Sequence, residues 1–263
     1  MKIIKKEYIE QGLTNNNYLL TLSDDSKIVH RIPKNHNLNF DYKNEEKIIK
    51  LIQPLNISVK ELYFNNKTGE KYSQYIDNYS YFNNKSKKQL KEIALTLKKL
   101  HSLKVDFDFK MFDKLNEFKK NNENLFSFEE NILDLLRKYQ KDEDMVLCHN
   151  DLVKGNLLFK DKLYLIDYEY ASNNYKEFDL ASLLSENNIE SINNIKYFLN
   201  CYYDKEINNE EFIKVITYYI FEDMLWSYWA INFYKLEHKQ IYKKIYNQKS
   251  KRANKFYNLY LKK

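Results

Sequence analysis

Short apolar runs separated by turn-forming residues occupy the first part of the chain. Residues 18–22 and 28–32 are two such runs, and the polar residues between them predict a β-hairpin. Residues 62–76 repeat the pattern around a glycine and predict a second hairpin. Between the hairpins, isoleucine and leucine recur at helical spacing over residues 44–55, which predicts a helix.

The later part of the chain changes to helical spacing. Apolar residues form one helical stripe over residues 90–101 and another over 126–139, and the pattern is helical again from about residue 192. This change predicts an α+β chain that folds into two lobes. The small lobe, an antiparallel sheet with one helix, is assigned to residues 1–77, and the larger, mainly helical lobe to residues 78–263.

One polar segment between two apolar strands carries the strongest chemical signal. The octapeptide HNDLVKGN has the spacing His-x-Asp-x-x-x-x-Asn, with His149, Asp151 and Asn156 at its three defining positions. In this arrangement Asp151 accepts a proton from a substrate hydroxyl, and the amide oxygen of Asn156 binds magnesium. Asp167, at the end of the next short apolar run, supplies a second magnesium ligand. The residues therefore predict ATP- and Mg²⁺-dependent phosphoryl transfer.

Two further residues of this segment have less defined roles. His149 is grouped with Asp151 as a catalytic residue, and we interpret it as a buried hydrogen-bonding residue that holds the loop, in preference to a proton carrier. Lys154 can reach a phosphate or remain a solvated surface lysine, and the sequence favours the second interpretation.

These motifs, with IDYEY at residues 166–170 and FDLA at 178–181, resemble the choline/ethanolamine kinase branch of the aminoglycoside-phosphotransferase-like superfamily. The resemblance implies that the α+β chain has a two-lobed protein-kinase-like fold. Upstream, QGLTNNNY resembles the segment that covers the nucleotide phosphates in that family, with Gln11 in place of the first glycine. The resemblance implies nucleotide contacts from this segment by Gly12, Thr14, Asn15 and Asn17.

The resemblance also extends to the third predicted strand and the hinge. Arg31 stands where most kinases carry a lysine, and the resemblance implies that it holds the nucleotide phosphates. Glu45, on the apolar face of the following helix, is our candidate for its ion-pair partner, with Glu46 as the alternative. The last strand of the second hairpin leads into the predicted hinge, where backbone atoms near Gln74, Tyr75 and Ile76 would bind adenine.

Trp226 and Trp229 lie three residues apart on a predicted helix and therefore on one side of it. They are the residues that distinguish between possible acceptors of the kinase. A quaternary ammonium has no hydrogen-bond donor, so aromatic faces and a nearby carboxylate recognise it. The resemblance implies that these indoles form a choline pocket and that Glu186 faces the cation, and Glu169 is assigned to the same substrate-binding group. The alternative is that both indoles pack in the core and that Glu186 is an exposed helix residue.

Composition narrows the class of protein only slightly. The net charge of +6 is carried by lysines scattered along the chain, so no basic block indicates nucleic-acid binding. The two cysteines, Cys148 and Cys201, show no spacing typical of disulfides or zinc sites, which favours a reduced, cytoplasmic setting. We expect no signal peptide and no membrane span, because no apolar run is long enough.

The sequence as a whole predicts a kinase that phosphorylates the hydroxyl of choline. A related kinase acting on ethanolamine, thiamine or an aminoglycoside is the alternative within the same class. A pseudokinase or a basic nucleic-acid-binding module is the third interpretation, and the intact set of Asp151, Asn156 and Asp167 argues against it. The sequence leaves the oligomeric state open.

Overall fold

The computed structural model describes residues 2–9, 14–34, 40–120, 122, 124–140 and 144–262. The chain forms two compact units: a first unit of residues 1–100 and 153–171, and a second unit of residues 101–152 and 172–263. The predicted functional boundary after residue 77 is a different division of the chain and stays a prediction.

The first unit contains a five-stranded antiparallel sheet. The second and third strands pair from Asn15↔Pro33 to Thr21↔Lys27, which confirms the first predicted hairpin. The second predicted hairpin is confirmed by the pairing of the fourth and fifth strands. The strands are β1 (Ile3–Ile9), β2 (Asn15–Leu22), β3 (Lys27–Pro33), β4 (Glu61–Phe64) and β5 (Lys71–Gln74), in the spatial order β1-β2-β3-β5-β4.

The helix predicted within this region is α1 (Tyr42–Ile52), followed by a 3₁₀ turn at Gln53–Leu55. Asp41 caps its N-terminus, because the side chain accepts hydrogen bonds from the backbone N–H groups of Lys43 and Asn44. Ile48 and Ile52 are buried, so the apolar face packs inward. Proline within the 3₁₀ turn cannot continue the α-helical hydrogen bonding, which explains why α1 ends earlier than the predicted residue 55.

The first unit also contains α2 (Lys87–Leu100) and a three-stranded antiparallel sheet. Leu90, Ile93, Ala94 and Leu97 are fully buried on one face of α2, which confirms the predicted stripe. The sheet has the order β6-β8-β9, formed by β6 (Ser80–Tyr81), β8 (Leu157–Phe159) and β9 (Leu163–Leu165).

The second unit is mainly helical, with one two-stranded antiparallel sheet. Helix α7 (Asn209–Glu237) is buried along most of its length, so its side chains form the centre of this unit. Its N-terminus carries a capping box in which Asn208 and Glu211 bond each other's backbone N–H groups. The elements are α3 (Met111–Lys119), α4 (Glu129–Tyr139), β7 (Met145–Cys148), β10 (Ser172–Tyr175), α5 (Lys176–Glu186), α6 (Ile192–Tyr203), α7 (Asn209–Glu237) and α8 (Gln240–Phe256).

The sheet-containing first part and the helical second part confirm the predicted α+β class. No helix in the described part of the chain combines the length and the apolarity that crossing a membrane requires.

Candidate active site

The loop that carries Asp151 follows β7 in the second unit and is fixed by a carboxylate from α5. Asp179 accepts two backbone hydrogen bonds at 2.7 Å, from the N–H of His149 to Oδ2 and from the N–H of Asn150 to Oδ1. Asn150 has a φ of 64°, a left-handed conformation that asparagine tolerates better than most residues. Ser182, one helical turn after Asp179, accepts a further bond from the N–H of Leu152 at 3.2 Å. Helix α5 therefore sets the backbone on both sides of Asp151.

A second layer of contacts supports the carboxylate of Asp179. His101 approaches Asp179 Oδ2 through Nε2 at 3.1 Å and bonds the hydroxyl of Tyr202 through Nδ1 at 2.7 Å. His101, Cys148 and Asp179 lie close enough together to resemble a metal site. However, Asp179 already accepts the loop's N–H groups, and burial raises the pKa of the Cys148 thiol well above its ordinary value. These contacts identify the cluster as a brace for the loop.

His149 is fully buried at the base of the loop. This burial agrees with the interpretation of His149 as a residue that holds the loop, and its catalytic role stays a prediction. Asp151 lies in the second unit, whereas Asn156 and Asp167 belong to the first.

Arg31 is the centre of a buried charge network in the first unit. Its guanidinium bonds Asp167 Oδ1 through Nη1 and Glu45 Oε2 through Nη2, both at 2.7 Å, and the carbonyl of Gly69 at 3.1 Å. Of the two acids considered for this ion pair, Glu45 is therefore the one that bonds Arg31. Glu46 faces outward and pairs with Lys50 at 2.7 Å.

Glu169 lies beside the same network. Its carboxylate accepts hydrogen bonds from the hydroxyl of Thr14 at 2.8 Å and the amide of Asn15 at 2.9 Å, and its Oε2 lies 3.9 Å from Arg31 Nη1. Burial, reinforced by the negative charge of Asp167, raises the pKa of Glu169 to about 8. The structure thus joins Glu169 to two predicted phosphate-loop residues. Its predicted role toward the acceptor stays a prediction.

A cavity of about 210 Å³ in the first unit collects most of the predicted nucleotide and metal residues. The predicted hinge forms one part of its wall, and two ionisable residues, Glu61 and Lys71, form another. Gly12 lies outside the described residues. The predicted residues that line the cavity are Asn17, Arg31, Gln74, Tyr75, Ile76, Asn156 and Asp167.

Trp226 and Trp229 stand together on α7 in the second unit. Their ring centroids are 5.9 Å apart and their planes are nearly perpendicular, at 83°. Phe233 and Tyr242 pack against Trp229 at 4.8 and 5.5 Å between ring centroids, and Phe118 lies 6.2 Å from Trp226. The two indoles remain 7% and 8% exposed. The two indoles thus meet at nearly a right angle within a cluster of aromatic rings, and aromatic faces are groups that can bind a cation.

Three carboxylates on α5 and α7 form a charge cluster with α8, and one of them bonds the indole of Trp226. Glu186 pairs with Lys249 Nζ at 2.6 Å, and Asp223 receives two bonds from Arg252, at 2.5 and 2.7 Å. The third, Glu222, accepts a hydrogen bond from the indole N–H of Trp226 at 2.5 Å. The charge of Glu186 is thus balanced by Lys249 of α8, and its predicted role toward the acceptor cation stays a prediction.

Several of these residues have no role that the sequence alone predicts. Asp179 belongs to the FDLA motif, but its contact with the loop joins segments about 30 residues apart and becomes evident only in the folded structure. Glu222 stands four residues before Trp226, and this i,i+4 spacing on one helix face could have indicated the contact. Lys249 lies 63 residues from Glu186 in sequence, so no local pattern could have paired them.

The chain is similar to known proteins and to solved structures. The sequence model of the family described as choline/ethanolamine kinase matches residues 7–251. Protein LicA of Haemophilus influenzae is 33% identical over 196 residues, which cover 66% of this chain and 56% of LicA. A probable ethanolamine kinase of Arabidopsis thaliana is 32% identical over 106 residues, covering 33% of this chain and 28% of that protein. The matches thus span about half or less of these two relatives.

Among solved structures, the choline kinase LicA from Streptococcus pneumoniae superposes with a TM-score of 0.81. It is 25% identical, and the superposition covers 99% of this chain and 95% of that one. The kinase-like fold and the family predicted from the motifs are confirmed. By its family match over nearly the whole sequence, the chain belongs to the choline/ethanolamine kinase family.

Proposed function

We propose that this protein transfers the γ-phosphoryl group of ATP to the hydroxyl of choline, giving phosphocholine. The observation that carries the choice of acceptor is the perpendicular pair of indoles, Trp226 and Trp229, backed by buried carboxylates. Each aromatic face is worth roughly 0.5–2 kcal/mol toward a cation, and the value rises when the cation is desolvated. Family membership supports the phosphotransferase chemistry.

The nucleotide is assigned to the first unit. The cavity lined by the hinge residues Gln74, Tyr75 and Ile76 supports binding of the adenine edge to backbone atoms. Arg31, already held by Glu45 and oriented by the Gly69 carbonyl, would bind the phosphates with little loss of side-chain entropy. Preorganised cations of this kind stabilise the charge that spreads over the transferring phosphoryl group.

The residues at this site fit magnesium. Asn156 and Asp167 offer an amide and a carboxylate oxygen, the hard donors that Mg²⁺ prefers. The pKa of nearby Glu169 is raised partly by the charge of Asp167, so a cation would relieve repulsion at this place. When bound, the ion would neutralise charge on the phosphate oxygens. Asn156 and Asp167 would hold it, and Glu169 is a third oxygen donor beside them.

Asp151 is assigned as the base that accepts the hydroxyl proton of the acceptor. Its loop is anchored at two backbone N–H groups by Asp179, so the carboxylate needs little rearrangement to reach its working position. Such fixed positioning matters in phosphoryl transfer, where the protein contributes alignment and charge and little covalent chemistry.

Ethanolamine is the second candidate acceptor. One oxygen of Glu222, Oε1, is buried without a hydrogen-bond partner among the described residues, and a primary ammonium could donate to it whereas choline could not. The match to a probable ethanolamine kinase is consistent with this alternative.

The test is ADP release with a series of acceptors that differ only in methyl groups: ethanolamine, its mono- and dimethyl derivatives, and choline. We expect kcat/KM to rise with each methyl group, because methylation lowers the cost of desolvating the cation and adds contact with the aromatic faces. Asp151→Asn is the control for background hydrolysis and should lower turnover by about 10²–10⁴-fold. If kcat/KM is highest for ethanolamine, the acceptor is reassigned; activity with none of the four alcohols would refute the proposal.

A further inference from the structure

Helices α5, α7 and α8 enclose a cluster of five ionisable side chains beside the tryptophan pair. The cluster contains three acids and two cations, so full ionisation would leave one negative charge without a partner. All five side chains are buried or nearly buried. The acids are Glu186, Glu222 and Asp223, and the cations are Lys249 and Arg252.

The ion pairs within the cluster show which acid has no cation bonded to it. Lys249 bonds Glu186 at 2.6 Å, and Arg252 bonds both oxygens of Asp223. Lys249 Nζ also lies 3.6 Å from Asp223 Oδ1, so both cations are committed to these two acids. Glu222 is fully buried, takes one hydrogen bond from Trp226, and its Oε1 has no partner among the described residues.

We infer that Glu222 supplies the negative charge that recognises the acceptor's cation, and that it acts through its hydrogen bond to the indole N–H of Trp226. The inference rests on the proposed function and adds a specificity-determining residue to it. A carboxylate bonded to an indole N–H makes the ring more electron-rich, so a cation on the ring face is held more strongly. Glu186, already neutralised by Lys249, contributes less charge to the site.

The state of Glu222 before the acceptor binds follows from its surroundings. Burial raises the pKa of Glu222 well above its ordinary value, and the charges of Glu186 and Asp223 raise it further. Lys249 and the hydrogen bond from Trp226 oppose this shift in the pKa. Glu222 is therefore protonated in the free protein over a range of pH in which an ordinary glutamate is ionised.

Binding of a cation should then release the proton from Glu222. A cation favours the ionised carboxylate, so its affinity should increase as the pH rises toward the pKa of Glu222 and level off above it. Choline and tetramethylammonium carry a charge that does not titrate, so a pH dependence measured with them belongs to the protein. An uncharged alcohol of the same shape should show no such dependence.

The chain offers a direct probe, because Trp226 and Trp229 are its only two tryptophans. Their fluorescence can be titrated with tetramethylammonium and with 3,3-dimethyl-1-butanol, a neutral isostere of choline, from pH 6 to 9. We expect Glu222→Gln to weaken tetramethylammonium binding about tenfold or more and to abolish its pH dependence. Affinity for the neutral alcohol should stay within twofold of wild type, roughly 0.4 kcal/mol.

Glu190→Gln is the matched control, since Glu190 pairs with Lys255 at the surface next to the same helices. It should leave both affinities unchanged. Equal weakening for the cation and the neutral alcohol in Glu222→Gln would assign Glu222 a structural role only, and no weakening for either would also overturn the inference. If the variant does not fold, the wild-type series decides: a cation affinity that is flat across the pH range refutes the inference.

Wild-type kinetics separate this inference from the proposed function. A wild-type protein that binds tetramethylammonium as described but phosphorylates no amino alcohol would refute the proposed function alone. A wild-type protein that phosphorylates choline, with Glu222→Gln showing the same KM for choline, would refute the inference alone.

Discussion

The anchoring of the catalytic loop by Asp179 predicts the outcome of a nearly isosteric change, Asp179→Asn. The carboxylate accepts the backbone N–H groups of His149 and Asn150 with separate oxygens. Asparagine keeps one oxygen and replaces the other with an NH₂ group. One backbone N–H therefore loses its acceptor and faces another donor.

The magnitude follows from these two bonds. A hydrogen bond to a charged group contributes about 1.5–3 kcal/mol, and a buried N–H left without an acceptor costs about 1–3 kcal/mol. Removing a buried charge offsets part of this loss. We expect the free energy of unfolding to fall by about 2–4 kcal/mol, which lowers Tm by roughly 4–16 °C for a chain of this size.

Turnover should fall even for the folded fraction of the variant, because the loop that holds Asp151 loses one of the hydrogen bonds that position it. A misplacement of about 1 Å can cost about 10²-fold in rate, so kcat should fall by that order while KM for ATP changes little. Urea unfolding and steady-state kinetics measure the two effects. Asp134→Asn, at an exposed ion pair with Arg137, is the control and should change neither quantity measurably. Wild-type turnover in a folded Asp179→Asn protein would refute the proposed role of the brace.

Three other substitutions test separate parts of the site. Arg31→Lys keeps the charge but loses the fork that bonds Glu45 and Asp167 together, so KM for ATP should rise about tenfold or more while KM for choline stays constant in steady-state kinetics. Asp167→Ala should remove the additional thermal shift that magnesium gives in the presence of nucleotide, and a retained shift would contradict its assignment as a ligand. Glu61→Gln should become more stable relative to wild type as the pH rises: burial raises the pKa of Glu61, so folding favours its protonated form, and that advantage is lost above the folded-state pKa. Urea unfolding at pH 5 and pH 8 measures the free energy of unfolding of both proteins. A value for Glu61→Gln that falls relative to wild type between pH 5 and pH 8 would contradict the prediction.

Local patterns in the sequence predicted the hairpins and the catalytic loop because both depend on residues close together in the chain. The hairpin of β2 and β3 follows from two apolar runs and a short polar turn, and its pairing is as expected. Strand β1 was not predicted individually, because six of its seven residues are exposed and it lacks a buried alternating face.

Contacts between segments that are distant in sequence could not be predicted from local patterns. Glu46 pairs with Lys50 one turn along the same helix, which is a local contact, whereas the pairing of Glu45 with Arg31 depends on how α1 packs. The surroundings of the tryptophan pair were likewise only partly predictable from local patterns. The tryptophan pair was visible as i and i+3 on one helix, whereas the neutralisation of Glu186 depends on where α8 packs.

The charge cluster has a consequence for how the protein folds while it is being synthesised. Glu186, Glu222 and Asp223 leave the ribosome before Lys249 and Arg252, the cations of the cluster. Because uncompensated carboxylates are costly to bury, α5 and α7 cannot close tightly as charged helices during that interval. They must either stay hydrated or take up protons until α8 emerges. The charge cluster beside the tryptophan pair is thus completed only after α8 is synthesised, later than the loop of Asp151 and its brace.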